Sequence, residues 1–184
     1  MSLAPLSAAP LPICGRAEAI MDPIGSAAPA RTIALRVNGV ELTTPIEDRE
    51  LLVDVVRKRL RQTGTHVGCY NGDCGVCTIS LNGKIIKSCL ILAASADGGD
   101  ITTIEGFSGG EELDDIQQAF WDEDGFQCGF CLPGMLFAAR DLLERNPEPS
   151  EADIRQAISG NICRCTGYVN IVRSVHTAAQ RRTS

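Results

Sequence analysis

Aromatic residues are scarce in this 184-residue chain, at 4 %: five Phe, two Tyr and one Trp. Any core must therefore be filled by Leu, Ile, Val and Ala. With 44 % apolar residues the chain has enough of them for one large domain or two small ones. Basic residues are outnumbered: 17 Lys and Arg face 23 Asp and Glu, a net charge of −6. The basic stripe of a nucleic-acid binder is missing, so no such partner is expected. Long apolar runs are absent, and the longest, Cys89 to Ala94, is far too short to cross a bilayer. The opening "MSLAPLSAAPLPICG" is broken by prolines and has neither an early basic cluster nor twin arginines. Export on a signal of its own is not expected, and the location expected is cytoplasmic. Residues 1–30 read as a disordered Ala/Pro-rich leader, with Met21 an alternative start. Neither a hydrolytic triad nor a phosphate-cradling glycine loop is present.

Cysteine, by contrast, is abundant. Nine are present, and eight fall into two tight groups, with Cys14 alone near the N-terminus. Secreted disulfide scaffolds are usually shorter and lack a large core, so grouped cysteines in a chain of this length favour metal ligation. The first group is Cys69, Cys74, Cys77 and Cys89, spaced C-x4-C-x2-C-x11-C, the plant-type ferredoxin pattern for a [2Fe–2S] cluster. Three thiolates must converge from a tightly wrapped loop. Gly68, Gly72 and Gly75 are expected to supply the positive φ values and the bare backbone that this wrapping requires. Zinc ligands normally come in two close pairs, which this spacing does not provide.

The second group is "CGFC" (Cys128, Cys131) and "CRC" (Cys163, Cys165), separated by 31 residues. C-x2-C alone also fits a redox dithiol or half a zinc site. The single residue between Cys163 and Cys165 is tight for one tetrahedral zinc, and Cys131 just precedes a helix whose dipole favours thiolate. A second [2Fe–2S] cluster and a zinc site both remain open on these residues alone.

The surrounding pattern divides the chain. "RTIALRVNGVEL" alternates on both sides of Asn38-Gly39, and "CTISLNGKIIKSC" does the same around Asn82-Gly83, so each predicts a hairpin. Leu51, Leu52, Val55, Val56 and Leu60 have helical spacing, with Gly64 as the expected stop. "LILAASA" predicts a short helix and "DITTIEGF" a closing strand. Four helices follow, in "ELDDIQQAFWDEDG", "PGMLFAARDLLERN", "PSEADIRQAISGN" and "VNIVRSVHTAAQRR". Pro133 sits in a first turn, and Ser150 with Asp153 forms a capping-box-like start. The division expected is a leader over 1–30, an α+β domain over 31–107 and a helical bundle over 108–184, linked through "SGGEE".

Together, "GTHVGCYNGDCGVCTISLNGKIIKSC", "TTIEG", "QCGFCLPGM", "RNPEPS" and "SGNICRCTGYVNIVRSV" resemble the small iron–sulfur subunit of the xanthine dehydrogenase family, the molybdenum hydroxylases, over about residues 31–180. The resemblance implies an N-terminal ferredoxin-like β-grasp domain followed by an all-α four-helix bundle, each holding one [2Fe–2S] cluster. Cys69, Cys74, Cys77 and Cys89 would hold the outer cluster, and Cys128, Cys131, Cys163 and Cys165 the inner one. Gln127 would contact the pyranopterin, and Cys165 would lie nearest to it. The implied function is electron relay from a molybdopterin centre on a large partner subunit to FAD, typically on a medium subunit. The alternative is a stand-alone two-cluster electron carrier. Tyr70, Val76 and Leu132 depart from the family's usual residues without removing a ligand.

Other residues have plainer expectations. His66 is a loop residue, since four cysteines already suffice beside it. His176 faces solvent or a neighbouring helix, Trp121 anchors the core or a domain interface, and Cys14 is a free thiol. Cys163 and Cys165 are expected side by side on one iron, with Arg164 pointing away.

Overall fold

The computed structural model describes residues 31–108 and 112–183. The leader, Cys14 and Met21, together with part of the "SGGEE" link, lie outside the described residues. β1 (Arg31–Val37) and β2 (Val40–Ile46) pair antiparallel in full register, from Arg31 opposite Ile46 to Val37 opposite Val40. Asn38 and Gly39 join them at φ 51° and 82°, the doubly left-handed turn whose twist matches a two-residue hairpin. The same geometry recurs at Asn82 and Gly83 between β3 (Thr78–Leu81) and β4 (Lys84–Lys87). β5 (Asp100–Thr102) lies between the hairpins, parallel to β1 and antiparallel to β3, so the sheet order is β2-β1-β5-β3-β4. Alternation along β1 buries Ile33, Leu35 and Val37 on one face. They pack with Leu52, Val55 and Val56 of the crossing helix α1 (Leu52–Asp54, continued as one π-helical turn, Val55–Arg59).

α1 is shorter than its apolar spacing predicts. At its start, Leu51 bridges to Leu92, the Leu52 amide donates to Ile91 O and the Ala93 amide to Glu50 O, so residues 50–52 are held to the 91–93 segment. At its end, the chain reverses at Arg61, φ 60°, rather than at Gly64. The Arg57 guanidinium then donates to the carbonyls of Thr63 and Thr65, drawing the following loop back over the helix. Tertiary hydrogen bonds here override helical propensity. The segment predicted as a short helix is a 3₁₀ turn, Ala93–Ala96, and the closing strand gives way to another, Ile104–Gly106.

The second half is α2 (Asp115–Asp122), α3 (Leu132–Arg145), α4 (Glu151–Ile158) and α5 (Val169–Thr183). Both N-termini with polar caps form complete capping boxes, Asp114 with Gln117 and Ser150 with Asp153. Apolar faces of all four helices close on one core containing Phe120, Met135, Ile154 and Ile171, each no more than 1 % exposed. Burying a side chain of this size contributes about 1.5–3 kcal/mol. Trp121, expected as a core or interface anchor, is 63 % exposed and touches only the edge of this core, its ring 6.1 Å from Phe126. Ile116, Ala119 and Phe120 take the inward face of α2 at i, i+3 and i+4, which turns residue 121 outward. His176 is exposed, as expected.

The two halves meet backbone to backbone. A Cβ on Gly134 would stand 2.3 Å from Gly75 O, and one on Gly75 would stand 2.4 Å from Gly160 O. Val76 and Cys74 pack into the helical core, so the cluster-type loop of the first half is part of the second half's interior. Arg140 ties the junction from the other side. Its guanidinium lies 3.2 Å from the Phe107 ring centre and donates to Phe107 O and the Asp114 carboxylate.

Candidate metal centres

Residues 64–77 wrap without regular structure between α1 and β3. Gly72 and Gly75 take positive φ, 87° and 73°, as predicted, but Gly68 does not, and Tyr70 takes its place at φ 58°. The Tyr70 hydroxyl is anchored by Asp54 Oδ1 at 3.2 Å. Gly68 matters for space instead: a Cβ there would be 3.1 Å from Cys74 Sγ. This wrapping brings Cys69 against Cys74, while Cys77 on the lip of β3 meets Cys89 in the 3₁₀ turn after β4. Cys77 and Cys89 are buried with Val53, whereas Cys69 and Cys74 are half-buried.

The second group assembles between loops. "CGFC" enters α3, and "CRC" lies in the turn between α4 and α5. Cys165 Sγ is 3.5 Å from Cys128 Sγ, and the Cys131 thiol meets that of Cys163. Cys163 and Cys165, expected side by side, do not face each other but each meet a sulfur of the "CGFC" loop. Each sulfur faces a partner across the loop, because Cys163 is buried against the bundle while Cys165 is exposed. Arg164 is exposed, as expected.

The electrostatics differ from sulfur to sulfur. Amide N–H groups of Cys74 and then Asn71 point at Cys69 and lower its thiol to about 6. Burial pushes Cys89 up to about 12, reinforced by Cys77, and pushes Cys131 up to about 12, reinforced by Cys163. At Cys163 burial acts upward, but the Thr166 hydroxyl at 3.2 Å and nearby amides outweigh it, so the thiol is lowered. Among the described residues, no three Cys, His, Asp or Glu side chains gather around a single ion position; the sulfurs meet two by two. Two pairs per group is the donor set of a [2Fe–2S] cluster, in which each iron takes two thiolates, and differs from the single four-sulfur centre of structural zinc. The residues present therefore fit the iron–sulfur group.

The loops of the two groups are in direct contact. Ile162 N donates to Cys74 O at 2.9 Å, and Asn161 Nδ2 to Gly75 O at 3.3 Å. His66, read from sequence only as a loop residue, stacks on Phe130 with ring centres 4.8 Å apart, and its Nδ1 lies 2.8 Å from Phe130 O. Pairing between a loop histidine and an aromatic 64 residues away carries no sequence signal. Gln127 is exposed, next in the chain to the exposed Cys128 of the second group.

Two family models match. Residues 35–101 match a 2Fe–2S iron–sulfur cluster binding domain and residues 103–176 a [2Fe–2S] binding domain. The chain is 46 % identical over 140 residues to a probable xanthine dehydrogenase subunit of Bacillus subtilis, covering 76 % of this chain and 80 % of that protein. It is 43 % identical over 153 residues to the caffeine dehydrogenase subunit gamma of Pseudomonas sp., covering 82 % and 92 %. Among solved structures, quinoline 2-oxidoreductase from Pseudomonas putida 86 superimposes with a TM-score of 0.81 at 42 % identity, covering 84 % of this chain and 98 % of that one. No described helix is long and apolar enough to cross a membrane. With two consecutive [2Fe–2S] binding domains, a β-grasp sheet followed by a four-helix unit, and such relatives, the chain belongs to the small iron–sulfur subunits of the xanthine dehydrogenase family, the molybdenum hydroxylases.

Proposed function

We propose that this chain is the electron-relay subunit of a cytoplasmic molybdenum hydroxylase. In this reading it carries electrons from a molybdopterin centre on a large partner subunit to FAD on a medium subunit or to another acceptor. Cys69, Cys74, Cys77 and Cys89 hold one [2Fe–2S] cluster within residues 31–107, and Cys128, Cys131, Cys163 and Cys165 hold the other within 108–184. Each cluster, when bound, supplies one-electron storage. The residues of the chain orient and insulate it. Amides aimed at Cys69 stabilise negative charge on sulfur, and Val53 with Val67 keeps water from Cys77 and Cys89.

The observation that carries the reading is the polarity of the second group. Cys128 and Cys165 are exposed beside Gln127, whereas Cys131 and Cys163 are buried on the side that hydrogen-bonds to Cys74. One pair is open to a partner and the other faces the first group. Gln127 then contacts the pterin, and Cys165 is the sulfur nearest to it. In this reading the substrate site lies on the large subunit, which selects among substrates.

Metal analysis and copurification test this. About four iron and about four acid-labile sulfide per chain are expected, together with a molybdenum-containing partner retained through purification. Zinc without sulfide overturns the cluster assignment. Full cluster loading in a stable monomer that binds no molybdenum-containing partner overturns the relay assignment in favour of a free-standing carrier.

A further inference from the structure

Lys87 ends β4, two residues before Cys89, and its side chain lies in the seam between the two halves. Its ammonium donates to Gly72 O in the first cysteine loop and to Gly160 O, at 3.0 Å, in the loop leading to Cys163. It is half-buried, and among the described residues no carboxylate pairs with it. Among the described residues, two other Lys or Arg are half-buried: Arg140, which pairs with Asp114, and Arg57, which like Lys87 is held by carbonyls, but those of Thr63 and Thr65, outside the contact between the two halves. An ammonium withdrawn from water and held only by carbonyl dipoles is unfavourable unless nearby negative charge compensates it. The same Gly72 whose carbonyl accepts from Lys87 donates its N–H to Cys89 sulfur. A single residue therefore separates the cation from a cluster sulfur.

We propose that Lys87 is a positioning residue that ties the two cluster loops together and, through its uncompensated charge, raises the reduction potential of the outer cluster. The missing anion is the cluster itself, since four thiolates around two irons leave a net negative charge that grows by one on reduction. A cation held across Gly72 favours the reduced form, as charge near a cluster does generally. It also orients Gly72, so that its amide stays aimed at Cys89. This rests on the assignment of Cys69, Cys74, Cys77 and Cys89 as ligands.

The test is an EPR-monitored redox titration of the purified, cluster-loaded protein with Lys87→Met, Lys87→Gln and Lys87→Arg. The neutral variants are expected to lower the reduction equilibrium constant of the outer cluster about tenfold, equivalent to about 59 mV for one electron, and to shift the inner cluster less. Lys87→Arg is expected to keep the wild-type potential. Unchanged potentials in the neutral variants, with both signals present, overturn the inference. Failure of the neutral variants to load clusters while Lys87→Arg loads normally upholds the requirement for charge. Failure in all three makes Lys87 a packing residue and overturns it. Absence of both signals in the wild-type protein instead defeats the ligand assignment, a separate outcome.

Discussion

The amide of Ile162 donates to the carbonyl of Cys74 at 2.9 Å, joining the neighbour of Cys163 to a cysteine of the other group by one hydrogen bond. Two centres so connected remain chemically separate, because their sulfurs pair only within each group. Cys69→Ser is therefore expected to abolish one EPR signal and leave the other, and Cys128→Ser to do the reverse. Loss of both signals from either variant contradicts the separation.

The same junction makes Gly75 intolerant of a side chain. It holds φ 73°, and a Cβ would lie 2.4 Å from Gly160 O. Left-handed strain of about 1–2 kcal/mol adds to displacement of a neighbouring backbone, so Gly75→Ala is expected to destabilise the protein by about 3 kcal/mol or more. Gly39, at φ 82° with nothing within 4 Å, provides the control. Gly39→Ala should cost only about 1 kcal/mol. Thermal unfolding of both variants measures the difference.

Arg140 is expected to behave as a plane as well as a charge. Its guanidinium covers Phe107 and holds Asp114, the cap of α2, with both ion-pair partners only 21 % exposed. Arg140→Ala should destabilise by about 2 kcal/mol by leaving that carboxylate partly buried and unpaired. Arg140→Lys should recover only part of this, since an ammonium keeps the charge but not the stacked fork. Equal unfolding temperatures for Lys and Arg at this position contradict the stacking role.

Glu50 supplies a pH dependence. Paired hydrogen bonds from Arg59, at 2.8 and 2.9 Å, are the main cause holding its carboxyl below the ordinary 4.5, against the opposing effect of burial. The folded state therefore binds its proton less readily than the unfolded state. The stabilisation is present above pH 4.5 and is lost as pH falls through the lowered folded-state value. Glu50→Gln should be less stable than wild type at neutral pH, with the gap narrowing in acid. Denaturant unfolding at several pH values measures it.

Gln127→Ala is expected to leave both EPR signals intact while lowering molybdenum occupancy or turnover of the complex, because the residue stands at the rim beside Cys128 and belongs to neither hydrophobic cluster around the cysteines. Unchanged occupancy and turnover remove Gln127 from the pterin contact.

Much of this molecule follows from short-range rules. Asn-Gly pairs dictate both hairpins, since two consecutive left-handed residues suit the strand twist. Ser150 with Asp153 starts α4 by satisfying amides three residues apart. Cysteine spacing alone marks the plant-type pattern at 69–89, whereas the second group is open to zinc on spacing and is resolved by the resemblance. Tertiary structure decided what lies beyond that range. The sulfur partners of Cys163 and Cys165 sit more than 30 residues away, so packing of α3 against the turn between α4 and α5 chooses them. The chain turns back at Arg61, just past α1, where carbonyls of Thr63 and Thr65 capture Arg57. Trp121 turns outward because Ile116, Ala119 and Phe120 take the inward face of α2. Lys87, an ordinary strand-end lysine in sequence, becomes an uncompensated cation only when the two halves close around it. Local chemistry determines which residues can bend, cap or ligate, whereas burial and charge compensation exist only once distant segments share the same low-dielectric space.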